Sequence, residues 1–115
     1  MKEHMRIALN TLRKCGEARN NAKAAAAAAK AAWDELWELH NFFTAHSIEY
    51  SDQWWNAWFN ENHYDEKSAV VEQTKAEAKV LAAVAWNQDM AWFDMAKGLT
   101  TDELLWLINH LKDNQ

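Results

Sequence analysis

One cysteine, five histidines and a band of indoles are the residues of this chain whose chemistry could matter. Their spacing narrows what that chemistry is. Cys15 follows Arg13 and Lys14, cations that could lower the pKa of a thiol and make it a nucleophile. Cys15 also falls on a helical seam of small and apolar positions, where cysteine acts as a small apolar side chain. The histidines are His4, His40, His46, His63 and His110. No two stand four apart and no Glu-x-x-His pattern occurs, so a carboxylate-bridged di-metal bundle is not indicated. Glu61, His63 and Asp65 alternate within one polar segment, a spacing that any polar turn shows. The only glycines, Gly16 and Gly98, leave no glycine-rich phosphate loop. The expectation is a protein that is not an enzyme, with no cofactor and no metal.

The stronger signal is aromatic. Tyr50, Trp54, Trp55, Trp58 and Phe59 lie within ten residues. One reading is a short helix that plugs the end of a helical hairpin. Another is a binding patch for a partner protein, because tryptophan and tyrosine dominate the energetically important centres of such patches. A third, stacking on single-stranded nucleic acid, fits poorly, since acids surround the cluster and Lys67 is the cation near it. Arg6, Arg13 and Lys14 can share one side of a helix and form a basic contact face. Residues 1–32 hold seven cations and two acids, a balance of +5, whereas the rest of the chain holds five lysines and fifteen acids, a balance of -10. A basic front could meet phosphates, but nucleic-acid binders tend to be basic as whole domains. The acidic body could instead mimic DNA and inhibit a nucleic-acid enzyme. Both remain alternatives to a protein partner.

Long helices must carry these residues. Eight tryptophans and no proline occur in 115 residues. Without proline, and with two glycines, few places force a helix to stop. A single all-α domain over residues 1–115 is expected. A first helix is predicted from about Lys2 to about Thr44, with Ala8, Leu12, Cys15, Ala22, Ala26, Ala29, Trp33, Leu36 and Phe43 along its seam. It is read as continuous through Gly16, although that glycine with Asn20 and Asn21 could mark a break. Ser47 and Ser51 are both candidate N-caps in a turn over 45–51. A short aromatic helix follows from about Asp52 to Asn60, then a polar loop through Asp65. A second long helix runs from about Glu66 to Lys97, with Thr74, Ala78, Leu81, Ala85, Gln88, Trp92 and Met95 on its seam. Gly98 is expected to end it in a left-handed conformation. Thr100 with Glu103 forms a capping box, and Leu99 with Leu104 a hydrophobic staple, for a last helix over 101–112.

Packed antiparallel, the two long helices are expected to set Trp33, Leu36 and Trp37 against Ala76, Ala78, Leu81 and Ala82. The alanine block at 22–29 would lie against Ala85, Gln88 and Trp92, so that each alanine tract receives the other helix's indole. Trp86, Met90, Phe93 and Trp106 fall off that seam. Two rods and two short helices cannot hide all of this apolar surface, and exposed patches mark interfaces. A homodimeric helical bundle supplies the simplest cover. No apolar run nears the roughly 20 residues of a bilayer span. The N-terminus, Met1 to Arg6, lacks the apolar core of a signal peptide. The lone cysteine suits a reducing compartment. The sequence therefore predicts a cytoplasmic, non-catalytic interaction protein, an adaptor or inhibitor, that binds another protein through Tyr50, Trp54, Trp55, Trp58 and Phe59.

Overall fold

In a computed structural model, which describes residues 2–112, the chain forms four helices: α1 Glu3–His46, α2 Asp52–Glu61, α3 Tyr64–Ala96 and α4 Thr101–Lys112. No strand occurs among the described residues. The all-α reading holds, and α1 is one continuous helix through Gly16. Gly16 has open space where a Cβ would stand, and its φ is not positive. It costs the helix about 1 kcal/mol relative to alanine, too little to break a helix continued by the alanines on its C-terminal side. Thr11 and Thr44 are absorbed rather than disruptive, each hydroxyl donating to the carbonyl four residues back at 2.9 Å.

Cap chemistry sets the other boundaries. Ser51 is extended and its hydroxyl accepts from the Trp54 N–H at 3.1 Å, which starts α2. Ser47 is not a cap; its carbonyl accepts from Trp55 Nε1 at 3.2 Å. The expected polar loop over 60–65 shrinks to Asn62 and His63. His63 takes a left-handed φ of 53°, and its carbonyl accepts from the Lys67 N–H at 2.9 Å, so α3 begins at once. A left-handed residue reverses the chain in one step. Sequence reasoning had given that conformation to Gly98, and there the structure differs: no glycine has positive φ. Instead Gly98 N–H donates to Met95 at 3.2 Å and Leu99 N–H to Ala96 at 3.1 Å, three-residue steps that tighten the last turn of α3. The capping box of α4 is as expected, with Thr100 N–H to Glu103 Oε1 at 2.9 Å and Glu103 N–H to Thr100 Oγ1 at 3.2 Å.

The chain divides into two compact units, one of Met1–Ala22 with Val80–Gln115 and one of Lys23–Lys79. In the first, Met5, Ala8 and Leu9 of α1 and Leu107 of α4 form the buried centre, with Leu12, Trp92, Met95, Leu99, Trp106 and Leu111 packed on it. Further along the seam, Cys15 donates to the Gln88 carbonyl at 3.1 Å, and Arg19 holds Asp89 at 2.8 Å. The early residues of α1 thus meet the late residues of α3, and the helices run antiparallel. Of Arg19 and Gln88, both expected as polar positions that fix register, Arg19 crosses through its side chain, whereas Gln88 accepts through its backbone carbonyl, which any residue at that position would offer.

In the second unit, Leu36, Trp55 and Val71 are buried. Glu35 pairs with Lys67 at 3.3 Å, and Trp33 shares a shallow cavity with Ala29, Lys30, Val71, Glu72 and Lys75. This pairing is antiparallel too, but it corrects the expected register. Trp33 lies beside Val71 to Lys75 rather than Ala76 to Ala82. The last turns of α1 carry Phe42 and Phe43, which pack on α2. Trp33 and Trp37 stack on each other with centroids 5.7 Å apart and stay half-exposed. Trp92 is likewise not seated on the alanine block; Met5, Ala8, Leu9 and Leu107 receive it. Ala24, Ala26, Ala27 and Ala28 are exposed and act through helix propensity.

Glu103 gives the fold a defined pH dependence. The Thr100 backbone N–H and then the His4 ring, 2.6 Å away, hold its carboxylate, lowering its pKa from 4.5 to about 2. A depressed folded-state pKa stabilises the protein above the unfolded value and is lost as pH falls through the folded one. The thermal midpoint of wild type should therefore exceed that of Glu103→Gln at neutral pH, measured by circular dichroism. The gap should close as pH falls from 4.5 towards 2. An equal gap at both ends of that range would refute the role given to the charge.

Candidate functional site

The aromatic cluster is layered. Trp55, 4 % exposed, is its centre. Phe43 meets it edge-on at 4.8 Å, Trp54 at 5.0 Å, Trp58 at 5.2 Å and Tyr50 at 5.7 Å. Its indole N–H is satisfied by the Ser47 carbonyl, so burial leaves no polar group stranded. Trp58 and Phe59 form the next layer, half-buried, with Trp58 flat against Phe42 at 5.3 Å and Phe59 against Tyr64 at 5.0 Å. The helical period explains the order. Positions 55, 58 and 59 share one side of α2, which α1 covers, while position 54 stands about 100° away from 55.

Tyr50 and Trp54 make the outer layer. Their rings stack with centroids 3.9 Å apart and planes 13° from parallel, and they are 40 % and 38 % exposed. Ile48, in the same turn, is 96 % exposed. Of the five aromatic residues singled out by sequence, then, Tyr50 and Trp54 offer surface, Trp58 and Phe59 offer part of theirs, and Trp55 offers none. A flat, pre-stacked pair has little rotamer freedom left to lose when a partner covers it.

Arg6, Arg13 and Lys14 do not form one open basic face. Arg6 pairs with Glu3. Arg13 is half-buried, and its Nη2 is buried with no acceptor among the described residues. Lys14 is exposed, about 100° around the helix from Arg13. Cys15 is buried, and its pKa is pushed above the ordinary 9.0, by burial first and by the Asp89 carboxylate next. Arg19 opposes that shift weakly. The thiol is therefore held protonated at neutral pH, the reverse of activation. Among the described residues no group of three or more His, Cys, Asp or Glu side chains could hold a metal ion. His63 and Glu66 are 3.9 Å apart and both exposed.

A second apolar surface lies on the unit formed by the chain ends. Trp86, Met90 and Phe93 of α3 are 67 %, 42 % and 58 % exposed. Sequence reasoning had placed them off the seam without making them a site. The signal was present in their steps of four and three, which set all three within a sector of about 60°. Leu105 and Ile108 of α4 and Ile7 of α1 are also exposed on this unit. No helix among the described residues is long and apolar enough to cross a membrane.

The layering predicts unequal costs of truncation. Trp55→Ala should destabilise the protein by about 3–5 kcal/mol, because it empties the centre of the cluster. Trp54→Ala should cost at most about 1 kcal/mol, as surface positions do. Urea unfolding followed by circular dichroism checks both. Equal costs would mean that Trp54 belongs to the core and that the outer layer is no surface.

No protein-family model matches this chain, and neither does any curated protein or any solved structure.

Proposed function

We propose that this chain is a non-catalytic protein-interaction module, an accessory protein of the adaptor or inhibitor kind, that engages a protein partner through its exposed aromatic surface. One observation carries the reading. Tyr50 and Trp54 stack on each other at the surface, 40 % and 38 % exposed, over the buried Trp55. Other large apolar side chains are exposed as well, including Trp33, Trp37 and Trp86. Isolated exposed hydrophobic residues are normal, but aromatic residues grouped in stacked pairs and stripes are what binding surfaces use.

Within that surface the Tyr50–Trp54 pair is the best-formed binding element. It is anchored from beneath by Trp55, which both rings meet edge-on. Its own unit holds five lysines and ten acids, a net charge of -5. A partner for this face would therefore carry an apolar cleft with a basic rim, since like charge at the rim slows association.

Site-specific photo-crosslinking tests the proposal. A benzophenone side chain at position 54 should capture discrete protein species in cells of the native host, and the same group at Glu77, exposed on α3, should not. No adduct from position 54, or the same adducts from both positions, would contradict it.

A further inference from the structure

We infer that the exposed stripe Trp86–Met90–Phe93 is the face by which two copies of this chain associate, with α3 lying antiparallel against α3 of the second copy around Met90. The inference rests on the interaction reading above and assigns this face, rather than the Tyr50–Trp54 face, to self-association.

Geometry comes first. The three side chains share a sector of about 60°, while the seam residues Ala85 and Trp92 lie roughly 100° away on the side that faces the unit's own core. The stripe is therefore spare: the unit's packing does not use it. Ala82 and Ala83 extend it by one turn, with Lys97 at its other end and paired to Asp94 at 3.7 Å. An antiparallel match centred on Met90 sets Trp86 against Phe93 of the second copy, Met90 against Met90, and the Lys97 stem over Ala83. Large rings flank a flexible thioether, and no charge in the stripe meets a like charge. A two-fold contact needs such self-complementarity, and methionine adapts to close the centre.

Charge then chooses between the two faces. The unit that bears the stripe, Met1–Ala22 with Val80–Gln115, has seven cations and seven acids in its sequence, a net charge of zero. The unit that bears Tyr50 and Trp54 has a net charge of -5. Contact between two identical neutral units meets no net repulsion, whereas contact between two acidic ones does.

Cysteine crosslinking and sedimentation test this on the full chain. In a Cys15→Ala background, Met90→Cys should form a disulfide-linked dimer under mild oxidation at least roughly tenfold faster than Ile48→Cys, because association raises the effective thiol concentration. Wild type should sediment at twice 13.3 kDa at micromolar concentration. Trp86→Glu should sediment as a monomer of unchanged helicity, since Trp86 has little packing to lose. A monomeric wild type overturns the inference. So does a dimer that survives Trp86→Glu but dissociates with Trp54→Glu, and so does a monomer that retains a different host protein through Trp86. The last two outcomes leave the broader interaction reading standing; a monomeric wild type whose position 54 also captures nothing removes both.

Discussion

A helix packed on one neighbour can hide one stripe of its circumference, and this constraint governs the molecule. α1 and α3 pair antiparallel within each compact unit, and each pairing buries a single row: Ala8, Cys15 and Ala85 in one unit, Leu36 and Val71 in the other. The seam residues are mostly small, so the helices can approach closely, but a seam of small residues removes little apolar area from water. At about 25 cal/mol per Å², each unit needs a third helix to add to its core. In one unit α4 brings Leu107 onto Met5, Ala8 and Leu9. In the other α2 brings Trp55 onto Phe42 and Phe43.

The two short helices solve the same problem with different chemistry. α4 depends on its entry: the Thr100–Glu103 box fixes the first turn, Glu103 reaches His4 on α1, and Leu99 packs into the same cluster that Leu107 completes. α2 depends on rings. Its indoles lie 3.9–6.1 Å from their aromatic neighbours, stacked, tilted or edge to face, and such pairs add to simple burial. A short helix can cover only part of its neighbours. What is left over is ordered rather than scattered: a stacked pair at the head of α2 and a three-residue stripe along α3.

Much of the architecture was legible because its signals are local. Proline's absence and the three-four spacing gave two long helices, and Ser51 and the Thr100–Glu103 box gave boundaries correct to the residue. What failed was non-local. The facing of Trp33 and Trp92 depended on where α1 stops relative to α3, and no local rule says that α1 runs on so that Phe42 and Phe43 can meet α2. The left-handed turn went to His63 and not to Gly98, since the closure of α2 onto α3 demanded it there and a tightened last turn of α3 did not. The aromatic band was visible as a cluster, but its inside and outside were not. Burial of Trp55 follows from α1 lying across α2, which the spacing of rings alone leaves open. The stripe at Trp86, Met90 and Phe93 was already off the seam by its spacing, but whether a short helix covers it depends on where α4 packs, and the structure leaves all three exposed.

On the inference drawn above, a second copy of the chain covers the Trp86–Met90–Phe93 stripe of α3, and the Tyr50–Trp54 pair is left to a different protein. Thermal unfolding over a roughly hundredfold range of chain concentration tests it most directly, because association with the folded state raises its apparent stability by mass action. The account predicts a midpoint that climbs by several degrees with concentration. A midpoint that does not move across that range would contradict it.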